Sequence, residues 1–328
     1  MSRNFGTIFL NDNSILIHEF SALSRLNCFQ KCISFDSSCQ FLEFSPRKIC
    51  SIYNSIRKQM IYDKRDFYYR EKKLPRIHFL NGSFLDRSQL INLPVSLNLS
   101  RSRVNLIASY SFENCDKTET LDLSFNNLTK LYSNSFYGML NLKTIFLSNN
   151  RISKLESDVF KGLNSLTSLG LINNNLSIIE SEYFNGLIYL EKLNLNGCNV
   201  KEISLSSLPN LKILDLGSNY INFFSQNLSS LKELYLTNNP LKNLTYPLIT
   251  SDNSKLETLG ISNCQLKYID FEILRNYPLQ TLGIAANSYN FTNENFNGLK
   301  SLKRVIVDFI YVGRLSVLFP NISFNTSF

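Results

Sequence analysis

Residues 142–152 read Leu142-Lys-Thr-Ile145-Phe-Leu147-Ser-Asn-Asn150-Arg-Ile152, and this stretch decides the fold. Apolar and other residues alternate from Ile145 to Leu147, which is the period of a β-strand with one buried face. The same spacing of apolar residues and asparagine returns in residues 231–241, where leucines replace the isoleucines. Each copy is therefore predicted to form one short strand followed by a turn with buried side chains.

The copies follow one another at a nearly constant period, which indicates stacked repeats. Phe112, Phe136, Phe160 and Phe184 are each 24 residues apart. The asparagine of the motif, here called the ladder position, recurs as Asn126, Asn150, Asn174, Cys198, Asn219, Asn239, Cys264 and Asn287. An amide there can donate to and accept from backbone groups that the turn leaves unpaired, and cysteine is a small buried substitute with a weak donor.

These motifs identify residues 92–310 as a leucine-rich-repeat array. The predicted fold class is α/β, a solenoid of about ten repeats over residues 92–328 with a parallel sheet on its concave face. The first of ten expected strands begins at Ser96 and the last at Arg304. The phenylalanines are expected to stack on the convex side. Ladder spacings of 21 and 20 residues between Cys198 and Asn239 predict a flatter convex side there.

Between the inward leucines of each strand lies one outward residue, and a ligand is expected to contact this row. The row consists of Asn98, Asp122, Phe146, Gly170, Asn194, Asp215, Tyr235, Gly260, Gly283 and Ile306. Its candidate ligand-contacting residues are Asp122, Phe146, Asn194, Asp215 and Tyr235. Phe146 and Tyr235 are its aromatic anchors, since aromatic residues dominate many binding surfaces. The three glycines would let a partner approach the sheet closely.

The first 73 residues have a different composition, with four of the seven cysteines at Cys28, Cys32, Cys39 and Cys50. A helix over residues 24–33 would place Cys28 and Cys32 on one face. Strands are expected at residues 40–44, 49–53 and 66–70. Four cysteines allow three disulfide pairings, among which the sequence does not choose. The spacings lack the two close pairs of a zinc site.

The helix-borne cysteine pair, Cys50-Ser-Ile-Tyr and the closing Phe-Tyr-Tyr-Arg-Glu-Lys resemble a PAN/apple domain, which would cover residues 5–73 as a small disulfide-bonded α+β unit. Residues 74–91 would then be a linker. The resemblance implies nested bridges, Cys28 to Cys50 and Cys32 to Cys39. The alternative is a cysteine-containing cap for the repeats.

Positive charge is concentrated near the N-terminus, where residues 1–80 hold 13 basic and 7 acidic side chains. Resemblance to PAN/apple domains suggests a patch for sulfated glycans, since some of that family bind polyanions. Its members would be Arg57, Lys58, Lys64, Arg65, Arg70, Lys72 and Lys73. The alternative is a solvated surface that keeps the domain soluble.

The composition argues against catalysis and for binding. His18 and His78 are the two histidines, both far in sequence from any carboxylate or cysteine cluster, so imidazole-based metal sites and Ser/His or Cys/His catalysis lack their usual residues. We expect no enzyme activity, no cofactor, no nucleic-acid partner and no membrane span. The expected partner is a protein, with a sulfated glycan as a second possibility.

Disulfides would require an oxidising compartment, so an extracellular recognition protein is predicted, as a receptor ectodomain or a secreted adhesion protein. Nine glycosylation sequons fit this location, although random placement would give nearly as many: Asn81, Asn98, Asn127, Asn175, Asn227, Asn243, Asn290, Asn321 and Asn325. Residues 5–10 are too short an apolar stretch for a signal peptide. The alternative is an intracellular leucine-rich-repeat scaffold or enzyme inhibitor with free thiols.

Overall fold

The computed structural model describes residues 95–102, 104–107, 111–112, 115–292 and 294–326, together with the backbone of four strands nearer the N-terminus. These four strands form an antiparallel sheet in the order Ile8–Phe9, Ile15–Ser21, Ile49–Tyr53 and Phe41–Phe44. The strands expected at 40–44 and 49–53 are confirmed, whereas the first two had not been predicted. The expected helix at 24–33 and strand at 66–70 lie outside the described residues.

Residues 95–326 contain one parallel sheet in which each strand between the two edges pairs with the strands of the preceding and following repeats. It has eleven strands: Ser96–Asn98, Thr120–Asp122, Thr144–Phe146, Ser168–Gly170, Lys192–Asn194, Ile213–Asp215, Glu233–Tyr235, Thr258–Gly260, Thr281–Gly283, Arg304–Ile306 and Ser323–Asn325. The prediction of ten strands was therefore one short. The last strand follows the helix Phe309–Leu318 and lacks the leucine spacing of the others.

Short elements complete the turns on the other side of the repeats. Three two-stranded sheets pair Lys130–Leu131 with Lys154–Leu155, Ile178–Ile179 with Glu202–Ile203, and Asn243–Leu244 with Tyr268–Ile269. Two short helical turns, Ser181–Phe184 and Phe271–Leu274, lie in the fourth and eighth turns. Asp270 caps the second of these, because its carboxylate accepts the backbone N–H of Glu272 at 3.0 Å.

The inward leucines of the sheet and the phenylalanines of the turns form one continuous core. Phe112, Phe136, Phe160 and Phe184 stack in a column with centroid separations of 6.2, 5.8 and 6.3 Å and nearly parallel rings. The predicted phenylalanine stack is confirmed. It ends at Phe184, and the shorter repeats that follow bury leucines such as Leu205 and Leu228 in their turns. A flatter convex side in this region remains a prediction.

The ladder positions hold neighbouring repeats together as expected. The Asn150 amide nitrogen donates to the carbonyl oxygens of Leu123 and Leu147 at 3.0 and 2.9 Å, and its oxygen accepts the N–H of Leu128 at 3.0 Å. At the cysteine ladder positions the thiol donates instead, from Cys198 to the carbonyl of Leu171 at 3.1 Å. One side chain therefore satisfies backbone groups of two repeats.

The residue before each ladder position has a left-handed backbone, which the sequence reading did not anticipate. This residue is Phe125, Asn149, Asn173, Gly197, Ser218, Asn238, Asn263 or Ala286, with φ between 52° and 67°. Asparagine and glycine tolerate this conformation better than other residues, and five of the eight are of these types. The turn that buries the ladder side chain therefore depends on this preceding residue.

Cys115, Cys198 and Cys264 are buried free thiols, as expected for Cys198 and Cys264 from their ladder positions. Burial raises the pKa of Cys115 to about 12 and the pKa values of Cys198 and Cys264 to about 11. Because the thiolate is the reactive form, these three side chains are inert near neutral pH.

Candidate functional site

The register of the sheet places the predicted outward residues side by side in one row. Asp122 is paired with Phe146, Gly170 with Asn194, and Asp215 with Tyr235, and Phe146 and Asn194 both neighbour Gly170. The sheet therefore brings together all five candidate ligand-contacting residues, over six consecutive strands. The row continues past Ile306 to Asn325 on the eleventh strand.

The polar members of the row take part in the fold as well as facing the concave side. The side-chain oxygens of Asp122, Asn194 and Asp215 accept the backbone N–H groups two residues further on, at 2.8, 3.0 and 2.9 Å. Such bonds stabilise the local turn at the end of each strand. These three residues are half-buried, so part of their hydrogen-bonding capacity is already used.

Asp215 is the centre of a small polar cluster on this face. Asn194 donates its amide to one carboxylate oxygen of Asp215 at 3.2 Å, and Asn196 donates to the other at 3.2 Å. Two amides and the backbone N–H of Gly217 therefore surround one carboxylate. No cluster of three or more potential metal ligands of the His, Cys, Asp or Glu type occurs among the residues that the structure describes.

Phe146 presents the largest exposed apolar side chain in the row. It is 40% exposed, and its ring lies along the sheet towards Gly170, where an added Cβ would meet the ring carbon Cδ1 at 3.5 Å. The Phe146 ring therefore borders Gly170 at ordinary van der Waals distance. The expectation that Gly170 lets a partner approach the sheet remains a prediction, and such a partner would also contact the Phe146 ring.

Tyr235 is half-buried and its hydroxyl donates to the carboxylate of Glu233 at 2.8 Å. Burial, together with the Glu233 hydrogen bond and charge, raises the pKa of Tyr235 to about 12. The hydroxyl therefore stays protonated, and the ring is held near the strand that carries it. The hydrogen bond to Glu233 and the partial burial of the ring both favour a Tyr235 side chain that keeps one position.

The end of the row after Tyr235 is less accessible than its sequence suggested. Gly260 and Gly283 are buried, and Ile306 is only 3% exposed although it occupies an outward position. These three residues offer little surface to a ligand in this structure. Apart from Asn325 on the eleventh strand, which is exposed, the accessible part of the row therefore lies between Asn98 and Tyr235.

The other predicted site residues fall into three groups. All eight sequon asparagines within residues 95–326 are exposed, namely Asn98, Asn127, Asn175, Asn227, Asn243, Asn290, Asn321 and Asn325. Outside the described residues lie Asn81, the basic cluster from Arg57 to Lys73, and Cys28, Cys32 and Cys39. Cys50 lies in the described strand Ile49–Tyr53, where the register pairs it with Phe20 and Phe44. Within the described segments no helix is long and apolar enough to cross a bilayer.

Comparison with known proteins supports the repeat architecture. Residues 90–215 match, in six copies, the family model described as BspA type leucine rich repeat region. No curated protein matches the chain. The chain thus carries leucine-rich repeats in a solenoid with a parallel sheet, and the prediction of that fold is confirmed.

Solved structures of other leucine-rich-repeat proteins share the fold. The leucine-rich-repeat domain of APL1B is 23% identical with a TM-score of 0.58, and the match covers 67% of this chain and 62% of that one. Toll, in the Drosophila Toll–Spatzle complex, is 19% identical with a TM-score of 0.57, covering 69% and 33%. TLR13, in a complex with ssRNA13, is 22% identical with a TM-score of 0.54, covering 70% and 38%. This chain thus spans less than two thirds of each.

Proposed function

We propose that the protein is a non-enzymatic recognition protein that binds a protein partner on the concave face, between Asp122 and Tyr235. The observation that carries this proposal is the exposed ring of Phe146 in a row of smaller or polar side chains. A large aromatic side chain that remains exposed on a rigid sheet is a typical anchor for a partner. The polar cluster at Asp215 would supply hydrogen bonds beside it.

The fold-related proteins support this kind of function without identifying the ligand. Toll has been solved in a complex with Spatzle, and TLR13 with a single-stranded RNA. We favour a protein over RNA here because the accessible row from Asp122 to Tyr235 carries two aspartates, Asp122 and Asp215, and no lysine or arginine. Nucleic-acid binding depends on neutralising phosphates with basic side chains.

Binding is tested by screening the full chain against a displayed library of secreted proteins, then measuring the affinity of the recovered partner. Phe146→Ala and Tyr235→Ala should each weaken binding about ten-fold or more, as expected for anchor residues. Tyr189→Ala is the matched control, since Tyr189 is an exposed aromatic residue outside the concave row. A partner that tolerates both concave substitutions would exclude this face.

We further propose an extracellular location, with residues 5–73 as a PAN/apple-like domain bridged from Cys28 to Cys50 and from Cys32 to Cys39. The exposure of all eight described sequons is compatible with this location. The rival is an intracellular scaffold or inhibitor with seven free thiols. Intact mass before and after reduction separates the two, because reduction adds two hydrogen atoms to each bridge, about 4 Da for two bridges, and adds nothing to free thiols. Peptide mapping of the oxidised protein then assigns the pairs.

A further inference from the structure

Three exposed aromatic residues lie in the stretches of chain that follow the ladder positions. Tyr220, Phe223 and Tyr268 are 59%, 57% and 55% exposed. Phe223 and Tyr268 occupy the same place in their repeats, four residues after the ladder positions Asn219 and Cys264. These rings belong to a different surface from the concave row, because the chain has turned away from the sheet at each ladder position.

The rings are held in place by the fold. Phe223 packs against Tyr246 with a centroid separation of 4.4 Å. Tyr268 lies in a short strand whose register pairs it with Asn243, the residue at the same place in the intervening repeat. Phe223 and Tyr268 therefore lie on either side of the repeat that carries Asn243 and Tyr246. An exposed ring that is already ordered loses little conformational entropy when a partner covers it.

Exposed lysines lie next to this place in several repeats, and one exposed carboxylate, that of Glu202, lies there as well. Lys201, Lys242 and Lys267 each lie three residues after a ladder position and are exposed, and Lys267 donates its N–H to the carbonyl of Lys242 at 2.8 Å. Elsewhere lysines of the repeats face carboxylates, as in the pair Lys212–Glu191 at 2.5 Å. Within residues 95–326, as far as they are described, none of these three lysines is in an ion pair.

We propose that this surface, defined by Tyr220, Phe223, Lys242, Lys267 and Tyr268 and here called the lateral surface, docks an acidic segment of a partner protein. The lysines supply charge complementarity, and the rings supply apolar area for aliphatic or aromatic side chains of the same segment. A sulfated polysaccharide would use the lysines but would leave three largely exposed rings without apolar contacts. The observations therefore favour a protein. This inference does not rest on the function proposed for the concave face.

Asn243 gives the proposal a further condition. It is an exposed sequon residue and lies four residues after the ladder position Asn239, the same place in its repeat as Phe223 and Tyr268 in theirs. A glycan on Asn243 would occupy the gap between the two rings, so docking requires Asn243 to be unmodified. Thr245→Ala removes the sequon while keeping Asn243 itself, and this variant of the full chain is the protein to test.

The probe is a phage-displayed library of random peptides, selected on the full chain carrying Thr245→Ala and counter-selected on the same protein with Phe223→Ala and Lys242→Glu. Recovered peptides should be rich in Asp and Glu and contain apolar residues. A synthetic copy should bind at least about ten-fold more weakly to either single variant, Phe223→Ala or Lys242→Glu. Tyr189→Ala and Lys300→Glu are matched controls at exposed sites elsewhere and should leave the affinity unchanged.

Thermal unfolding of each variant checks for a folding defect. None is expected, because all four substituted side chains are exposed. The proposal is overturned if the peptides are not acidic, or if they bind the lateral and control variants equally well. It is also overturned if no recovered peptide needs the lateral surface for binding, while Lys242→Glu reduces the retention of the protein on immobilised heparin. The ligand class would then be a sulfated glycan. Failure of this test leaves the concave proposal standing, since Phe146 is untouched.

Discussion

Each ladder asparagine joins two repeats through one buried amide. The Asn150 amide donates to carbonyls in its own repeat and the preceding one, and its oxygen accepts an N–H of the preceding repeat. The cost of losing it follows from burial, because water does not replace the missing partner. Stability at this scale therefore depends on the satisfaction of individual backbone groups as well as on apolar area.

Asn150→Ala is expected to lower the free energy of unfolding by about 1–3 kcal/mol for each backbone group left unpaired. Thr144→Ala, in the same repeat, is the control, because Thr144 is half-buried on the concave side and occupies no ladder position. Urea unfolding of both variants measures the difference. Equal destabilisation by the two substitutions would show that the ladder assignment is wrong.

The phenylalanine column is the element that spaces the turns of the first repeats. Phe160 lies between Phe136 and Phe184, stacked on both at 5.8 and 6.3 Å, and is fully buried. No repeat buries its own core, so a defect in one turn is transmitted to its neighbours. The shorter repeats after Phe184 do without the column and use leucines.

Phe160→Ala should therefore destabilise the protein by about 3–5 kcal/mol, the range for a large aromatic side chain removed from a packed core. Phe146→Ala makes the same chemical change on the concave face, where the ring is 40% exposed, and should cost far less. Chemical unfolding of the pair compares the two sites directly. A loss at Phe146 as large as that at Phe160 would mean that the concave row is structural and would weaken its assignment as a ligand face.

Charge is divided unequally over the whole molecule. Residues 1–80 carry 13 basic and 7 acidic side chains, whereas the remainder of the chain is close to neutral with 21 and 19. Such a division favours contact between a polyanion and the N-terminal region. We therefore propose the cluster from Arg57 to Lys73 as a sulfated-glycan patch.

Replacing Lys64 and Arg65 with glutamine in the full chain should shift elution from immobilised heparin to lower salt, because such attraction is screened within about 8 Å at physiological ionic strength. The matched control replaces Lys117 and Lys300, which are exposed lysines of the solenoid, and should shift elution less. If both double variants elute together, the polyanion patch is abandoned.

Much of the fold was determined by the sequence itself, because the same spacing of leucine and ladder residues recurs along the chain and specifies the same local structure each time. The leucine and ladder spacings around Asn150 predicted the parallel sheet, the inward side chains and the phenylalanine stack. The eleventh strand, Ser323–Asn325, was not predicted because it lacks that spacing. It joins the sheet only by pairing with the neighbouring strand Arg304–Ile306. Neither a period nor a motif marks a strand of this kind.

The surfaces, in contrast, were decided only by the tertiary structure. The sequence placed Gly170 and Ile306 in the outward row, but whether an outward residue is accessible depends on its neighbours in other repeats, such as Phe146 beside Gly170. Phe223 and Tyr268 are 45 residues apart in the chain. They face the same side only because stacking aligns residues that lie equally far from the ladder position of their own repeat. Local patterns specify how each repeat folds, whereas exposure and proximity arise from the packing of one repeat against the next.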